Sequence, residues 1–203
     1  SVNEIDYFAG IYSNDNKPEF DGAFKHGQFG IISLGKDYAE TFNFEKSYFR
    51  LDYMLHEDNG NNDVEDFSDW NGAYSLVTKW ENNDWYFWTD LSFADRKNGD
   101  VWGIQLMTFY DITDKTQAIF CYTHLESSEN NQLRASRWED RLPPRGSVGR
   151  GDELTEYFVG LNYFLYGHKL KWQNGLQYTE MDKTDGTTAY EGWGFTTAFR
   201  ISW

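Results

Sequence analysis

The segment Gly192–Trp203 alternates between large apolar and small or polar side chains. Because successive side chains of a β-strand point to opposite faces of the sheet, this pattern predicts a strand with one apolar and one polar face. The apolar face has Trp193 and Trp203 at its two ends, with mostly Phe and Ile between them. That order is typical of transmembrane β-barrel strands, in which aromatic residues lie at both membrane–water interfaces and flank an apolar band.

Similar alternating segments recur along the chain at short and even spacing, and they predict ten strands. Their expected bounds are 4–12, 26–34, 46–56, 72–80, 84–94, 100–111, 116–126, 155–166, 168–180 and 192–203. For the seventh strand, the apolar face is expected to carry Ala118, Phe120 and Tyr122. No segment keeps a helical period for more than a turn or two, so the sequence predicts an all-β fold, either a barrel or a sandwich.

The composition excludes some partners and permits others. The net charge is −15, from 33 acidic and 18 basic residues, which argues against a nucleic-acid partner because phosphate binding needs a basic surface. The mean hydropathy is −0.74, and the sequence has no apolar run long enough for a transmembrane helix. A barrel strand exposes only every second residue to lipid, so this hydropathy is compatible with an outer-membrane barrel. The single cysteine, Cys121, rules out a disulfide within the chain.

Outer-membrane barrels alternate long extracellular loops with short periplasmic turns, and the connections were assigned on that basis. The expected outer loops are 13–25, 57–71, 95–99, 127–154 and 181–191, and the expected inner turns are 35–45, 81–83, 111–115 and 166–168. Segment 57–70 holds six carboxylates and no base. It is interpreted either as a solvated surface loop or as a site that binds divalent cations bridging lipopolysaccharide phosphates.

The most specific sequence signal lies near the end of the chain. The hairpin Leu161-Asn-Tyr-Phe-Leu-Tyr-Gly-His-Lys-Leu-Lys171, with the preceding Gly151-Asp-Glu and the final Arg200-Ile-Ser-Trp203, resembles the phosphate-selective porin O and P family. Members of that family are sixteen-stranded, usually trimeric, outer-membrane channels about twice as long as this chain. The resemblance implies a transmembrane antiparallel up-and-down β-barrel in the bacterial outer membrane. It also implies outer-membrane lipid and lipopolysaccharide as partners, and a homotrimer.

Residues 1–203 are therefore expected to form a single β-barrel domain of about ten strands. Two interpretations of its size stay open. In one, the chain supplies the last ten strands of a sixteen-stranded barrel whose N-terminal part is missing. In the other, it is a smaller barrel of about ten strands. Both strand numbers are even, as is usual for bacterial barrels.

The expected pore lining comes from the polar faces of the strands. Four basic residues are predicted to form a ring that favours anions: Arg50, Lys79, Lys171 and Arg200. The acidic and polar lining residues are Asp52, Asp90, Glu156, Asn162 and Gln173. The acids could also pair with the bases, in which case the charges only hydrate and brace the lumen. The porin family's anion selectivity rests on Arg and Lys of the lumen, but its arginine-rich ladder is not evident in this chain.

The sequence thus predicts a porin for small hydrophilic solutes, with no enzymatic activity, cofactor or metal. Aromatic residues of the polar faces, Tyr86, Trp88, Phe158, Phe164 and Tyr166, are interpreted either as packing inside a narrow pore or as stacking surfaces for oligosaccharides. The alternative function is a secreted, soluble β-sandwich that binds carbohydrate, with the apolar faces packed against each other. A requirement for detergent separates the two.

Overall fold

A computed structural model describes residues 5–13, 28–57, 70–97, 99–134 and 150–202. The described chain contains one short helix, α1 (Ala39–Phe42). The strands are β1 (Ile5–Ser13), β2 (Gln28–Asp37), β3 (Lys46–Glu57), β4 (Trp70–Asn82), β5 (Trp85–Arg96), β6 (Val101–Thr113), β7 (Thr116–Ser127), β8 (Leu133–Arg134), β9 (Arg150–Gly151), β10 (Glu153–Tyr166), β11 (Leu170–Asp182) and β12 (Thr188–Ile201). No described helix is long and apolar enough to cross a membrane.

The ten long strands form one antiparallel sheet in the order β1-β2-β3-β4-β5-β6-β7-β10-β11-β12. Each long strand therefore pairs with the next one along the chain, which is up-and-down topology. The ten predicted strands and the all-β fold are confirmed, with bounds that differ by a few residues. The two-residue strands β8 and β9 pair with each other and were not predicted.

The register of the sheet collects the large apolar side chains on one side, called here the apolar face. One row across it consists of Leu34, Leu51, Leu76, Leu91 and Ile104, each directly opposite the next. The intervening residues form the polar face. On β7, Phe120 lies opposite Thr108 and Val159, so the predicted orientation of that strand is confirmed.

The apolar face is exposed over most of the sheet, except at the turn end of β3 and β4, where Ser47 and Thr78 are buried. Phe195 is 70% exposed, Phe199 is 69% exposed and Leu161 is 42% exposed. No second sheet of long strands covers this face in the described ranges, where the only other sheet is the β8–β9 pair. An uninterrupted apolar surface of this kind is costly in water, at roughly 25 cal/mol for each Å² left exposed.

The sheet is open between its two edge strands. Within the described residues, β1 pairs only with β2, and β12 pairs only with β11. The predicted closure into a barrel is therefore not formed between β1 and β12 in this structure. Both edges present a row of backbone groups to further pairing.

The connections at one end of the sheet, called here the turn end, are short. Residues 83–84, 114–115 and 167–169 each link two strands there. The fourth connection, 38–45, is longer because it contains α1. The ring of Phe42 in α1 packs against Trp80 and Phe49 of the apolar face, at centroid distances of 5.6 and 6.4 Å. Asn43 then ends the helix in the left-handed conformation, with φ of 56°.

At the opposite end, called here the loop end, one predicted loop is wrong. The sequence predicts a loop over 181–191, whereas β11 and β12 extend further and leave only residues 183–187 between them. Gly186 has φ of 75°, and its N–H donates to the Lys183 carbonyl over 2.8 Å. This is a tight hairpin turn with glycine at the left-handed position. Most of the predicted loops 13–25, 57–71 and 127–154 lies outside the described residues.

Candidate functional site on the polar face

All nine predicted lining residues lie on the polar face of the sheet. They are Arg50 and Asp52 on β3, Lys79 on β4, Asp90 on β5, Glu156 and Asn162 on β10, Lys171 and Gln173 on β11, and Arg200 on β12. Alternation along each strand and the register between strands together produce this arrangement. Their function as pore-lining residues stays a prediction.

The four bases lie in two groups and do not form a continuous ring on the described sheet. Arg50 is ion-paired with Asp52, with 2.9 Å between Nη2 and Oδ2. Lys79, on the neighbouring strand, places its Nζ 4.7 Å from the ring centroid of Trp88. Lys171 and Arg200 are directly opposite each other on β11 and β12, and four strands separate this second group from Lys79.

The second group carries two bases without a described ion pair, and Lys79 of the first group also has no described carboxylate within ion-pair distance. Among the described residues, no carboxylate lies within ion-pair distance of Lys171 or Arg200. The polar face as a whole is not basic, because it also carries the carboxylates Asp6, Asp37, Asp52, Glu81, Asp90, Asp111 and Glu156. A preference for anions stays a prediction, and it would arise locally, at Lys79 or at the pair of Lys171 and Arg200.

The lining carboxylates Asp90 and Glu156 are held by neutral donors. The hydroxyls of Ser75 and Ser92 donate to Asp90 Oδ1 over 2.7 and 2.6 Å. The side-chain amide of Gln177 donates to Glu156 Oε2 over 2.6 Å. These hydrogen bonds fix the positions of the two carboxylates, and none of these donors carries a positive charge.

A chain of side-chain hydrogen bonds, called here the amide ladder, crosses five strands near the turn end. Its members are Tyr86, Asp111, Gln117, Asn162 and Gln173. Gln173 Nε2 donates to Asn162 Oδ1 over 2.9 Å, and Asn162 Nδ2 donates to Gln117 Oε1 over 3.0 Å. Gln117 Nε2 and the Tyr86 hydroxyl then donate to the two oxygens of Asp111, over 2.8 and 3.0 Å. Asn162, at its centre, is only 4% exposed.

The amide ladder lies along a cavity of about 470 Å³, called here the turn-end cavity. Aromatic side chains of three strands, Trp88, Phe109 and Phe164, also line it. The lining comes from β4 to β11, strands that would be about 24 Å apart in a flat sheet. A single cavity bounded by so many strands indicates that the sheet curves with its polar face on the concave side.

A second cavity, of about 550 Å³, also lies on the polar face, nearer the β1 edge of the sheet. Its lining includes Arg50, Asp52 and Tyr48 of β3 together with residues of β1, β2, β4 and β5. Its described charged lining residues are Asp6, Arg50 and Asp52, and Arg50 and Asp52 form an ion pair. The cavity therefore adds polar surface without an evident anion site.

At the loop end, the β8–β9 pair packs onto the polar face. Leu133 of β8 forms a small buried cluster with Leu154 of β10 and Met181 of β11. Leu154 and Met181 lie directly opposite each other. Leu154 is two positions from Glu156, and Met181 is two positions from Thr179. Because side chains two positions apart share a face, both point toward the polar face. The chain that leaves β7 therefore folds over the concave side of the sheet. The sequence does not predict this contact, because nothing local to Leu133 indicates its distant partners.

Asp152, which precedes β10, connects the segment after β7 to the turn between β11 and β12 through hydrogen bonds. Its carboxylate accepts hydrogen bonds from the backbone N–H of Asn131 and from the N–H and hydroxyl of Thr184, the latter two at 2.5 Å. Burial acts to raise the pKa of Asp152, but the hydrogen bonds from Thr184 and Asn131 outweigh it, and the pKa lies below its ordinary value.

Potential metal ligands and histidines are not clustered in the described part of the chain. No group of three or more His, Cys, Asp or Glu side chains within the described ranges is placed to hold a metal ion. His124 lies 4.0 Å from Glu153 at the loop end, and His168 packs on Phe164 at the turn end. These two histidines are therefore far apart along the strands and share no site.

Comparisons of the chain with protein-family models, with curated proteins and with solved structures gave no match. The resemblance to the phosphate-selective porin O and P family accordingly stays a prediction from the sequence, and the function is inferred from the geometry of the sheet.

Proposed function

We propose that this chain forms an outer-membrane β-barrel porin through which small hydrophilic solutes diffuse passively. The observation that carries the proposal is the separation of the two faces of one continuous sheet. Large apolar side chains such as Phe195 and Leu161 cover the convex side and are exposed, while charged and amide side chains line the concave side. Lipid hydrocarbon is the surrounding in which such an apolar face is stable, and a water-filled lumen suits the other face.

Insertion into a bilayer requires that both edges of the sheet be paired. Hydrocarbon offers no hydrogen-bonding partner for the free backbone groups of β1 and β12, and each unsatisfied group costs several kcal/mol there. In the membrane, we expect these edges to pair with further strands or with each other. A sixteen-stranded trimeric barrel, with lipid and lipopolysaccharide around it, is the assembly that the sequence resemblance favours.

We propose at most a modest preference for anions. Lys171 and Arg200 create a local positive potential, and such potentials in a narrow, low-dielectric-walled pore select by charge. The carboxylates elsewhere on the polar face reduce the field, and Arg50 is already neutralised by Asp52. Strong phosphate specificity is therefore not part of the proposal.

The alternative, a soluble carbohydrate-binding sandwich, is less consistent with the sheet. A sandwich needs a second layer that covers the apolar face. In the described ranges, residues that would form its core, such as Leu51 and Val159, are about half exposed.

A refolding experiment tests the proposal. The purified chain is refolded in detergent, transferred to a planar lipid bilayer and examined for stepwise ion conductance. We expect that the chain stays dispersed only in detergent or lipid and that it produces discrete conductance steps. A chain that is monodisperse without detergent and gives no conductance would refute the proposal.

A further inference from the structure

We infer that the turn-end cavity is a binding site for a neutral saccharide. The inference deepens the proposed function, because it names a class of solute that the pore would hold during passage. It stands on three features of the cavity: its aromatic walls, its neutral hydrogen-bonding groups and its size.

The first feature is the aromatic wall. Trp88 and Phe109 contact each other with ring centroids 5.0 Å apart, and both line the cavity. Phe164 contributes a third ring, from β10, the strand that also carries Asn162 of the amide ladder. Rigid aromatic side chains provide apolar contact area at low entropic cost, and the C–H surfaces of a sugar ring match such area.

The second feature is the amide ladder beside these rings. Hydroxyl groups of a sugar both donate and accept hydrogen bonds, so they match neutral amides better than groups of one charge. Gln117, Asn162 and Gln173 each retain a second amide hydrogen beyond the ladder bonds. No described residue donates to Gln173 Oε1, which is therefore available to accept from a ligand.

The ladder also orients these amides before a ligand arrives. Each amide is held by a neighbour on the next strand, so its remaining donors have a fixed direction. Pre-orientation lowers the entropic cost of binding. The amides of the ladder are therefore better oriented for binding than polar side chains that point freely into solvent.

The charges of the cavity favour a neutral ligand over an anion. Glu81, Asp111 and Asp114 line it, against Lys171 as the one lysine or arginine among its described lining residues. An inorganic anion would therefore meet a majority of carboxylates. A neutral sugar avoids that repulsion and gains hydrogen bonds from the same groups.

The third feature is size. A volume of about 470 Å³ falls within the range of about 300 to 1,000 Å³ that is usual for small-molecule sites. The cavity therefore suits a sugar of one or two rings, held at the wall of a wider lumen.

Equilibrium binding tests the inference separately from channel function. The refolded protein is titrated with maltose, cellobiose and lactose in a zwitterionic detergent that contains no sugar, and intrinsic fluorescence and calorimetry follow the binding. We expect saturable binding of at least one disaccharide, and weaker binding of inorganic phosphate at this cavity. If none of the three disaccharides binds, the inference is wrong.

Two matched pairs of variants locate the site. Trp88→Ala should weaken disaccharide binding by at least about tenfold, whereas Trp85→Ala, on the same strand but on the apolar face, should leave it unchanged. Gln173→Leu should also weaken it, whereas Gln177→Leu, on the same strand and face but outside the cavity lining, should not. The second pair decides the question if Trp88→Ala does not fold. If the two variants of each pair changed disaccharide affinity to the same extent, the sugar would bind elsewhere and the inference would be wrong.

Conductance measurements on the same protein keep the two proposals distinguishable. Disaccharide binding without any conductance would refute the porin and retain the saccharide site. Conductance without disaccharide binding would retain the porin and refute the site.

Discussion

Lys171 and Arg200 lie directly opposite each other on β11 and β12, with both side chains on the polar face. Two like charges in directly opposed positions of an antiparallel pair are destabilising. No described carboxylate lies within ion-pair distance of either base, although Glu81, Asp111 and Asp114 line the same cavity as Lys171. We expect this pair, unlike the ion-paired Arg50, to act on a passing anion.

Reversing the charge of this pair should change ion selectivity. We expect the double variant Lys171→Glu, Arg200→Glu to lower the ratio of anion to cation permeability severalfold, because the local potential changes sign. Reversal potentials under a salt gradient in a planar bilayer measure that ratio. Lys183→Glu, in the turn between β11 and β12, is the control and should have little effect. An unchanged ratio in the double variant would contradict an anion preference at this pair.

The two faces of β6 should tolerate a charge very differently. Leu106 is on the apolar face near the middle of the strand, and its neighbour Gln105 is on the polar face. Leu106→Arg should lower the free energy of unfolding in lipid vesicles by about 2–4 kcal/mol, the usual cost of a base at the bilayer midplane. Gln105→Arg should change it little. Urea titrations followed by tryptophan fluorescence provide the comparison, and equal costs would argue against lipid on the apolar side.

Asp152 should make the loop end sensitive to acid. Its folded pKa lies below the ordinary value of about 3.9, so its stabilising contribution is present above that pH and is lost as the pH falls through the lowered pKa. Hydrogen exchange should show that the amides of Asn131 and Thr184 are protected at neutral pH and lose protection in that acidic range. In Asp152→Asn, we expect weaker protection at neutral pH and little further loss on acidification.

Asp185→Asn is the control for this prediction. The carboxylate of Asp185 accepts from the hydroxyl and the N–H of Thr187, and these hydrogen bonds hold its pKa below the ordinary value. Its replacement should affect the Thr187 amide and leave that of Asn131 unchanged. If both variants lowered the hydrogen-exchange protection of the Asn131 amide to the same extent, the specific role of the Asp152 hydrogen bonds would be wrong.

The contact of Leu133 with Met181 should restrict the loop end of the lumen. Met181 is completely buried, in a cluster that also contains Leu133 and Leu154. Leu133→Ala leaves a cavity and should destabilise this local packing by about 2–5 kcal/mol. Digestion by protease should then be faster in the segment after β7, and single-channel conductance should rise. Leu165→Ala, on an exposed position of β10, should alter neither.

Much of the fold follows from short-range sequence patterns. A period of two is a local signal, so the strand positions and the orientation of Phe120 were predictable without any knowledge of neighbours. The turn between β11 and β12 was predictable as well, since Asp185-Gly186 is a strong signal for a tight turn. It was missed because the adjacent Lys, Thr and Asp residues extend the polar segment and suggest a longer loop.

The candidate site was less predictable because it depends on register. Asn162 and Gln173 were placed on the polar face correctly, but alternation cannot show that they lie opposite each other and hydrogen-bond. Asp111 and Gln117 were not singled out at all, since the first lies in a predicted turn and the second has no distinctive neighbours. The contact of Leu133 with Met181 joins segments far apart in the sequence and carries no local signal.

Adjacent cysteines on β12 test most directly whether the apolar face contacts lipid. Phe195 and Thr196 are both exposed on the described sheet and lie on opposite faces. Each is replaced by Cys in a Cys121→Ser background, and labelling by a membrane-impermeant maleimide is timed in lipid vesicles. We expect rapid labelling of Thr196→Cys and strong protection of Phe195→Cys, with the difference removed on unfolding. Equal labelling rates in vesicles would show that water reaches both faces and would contradict the transmembrane barrel.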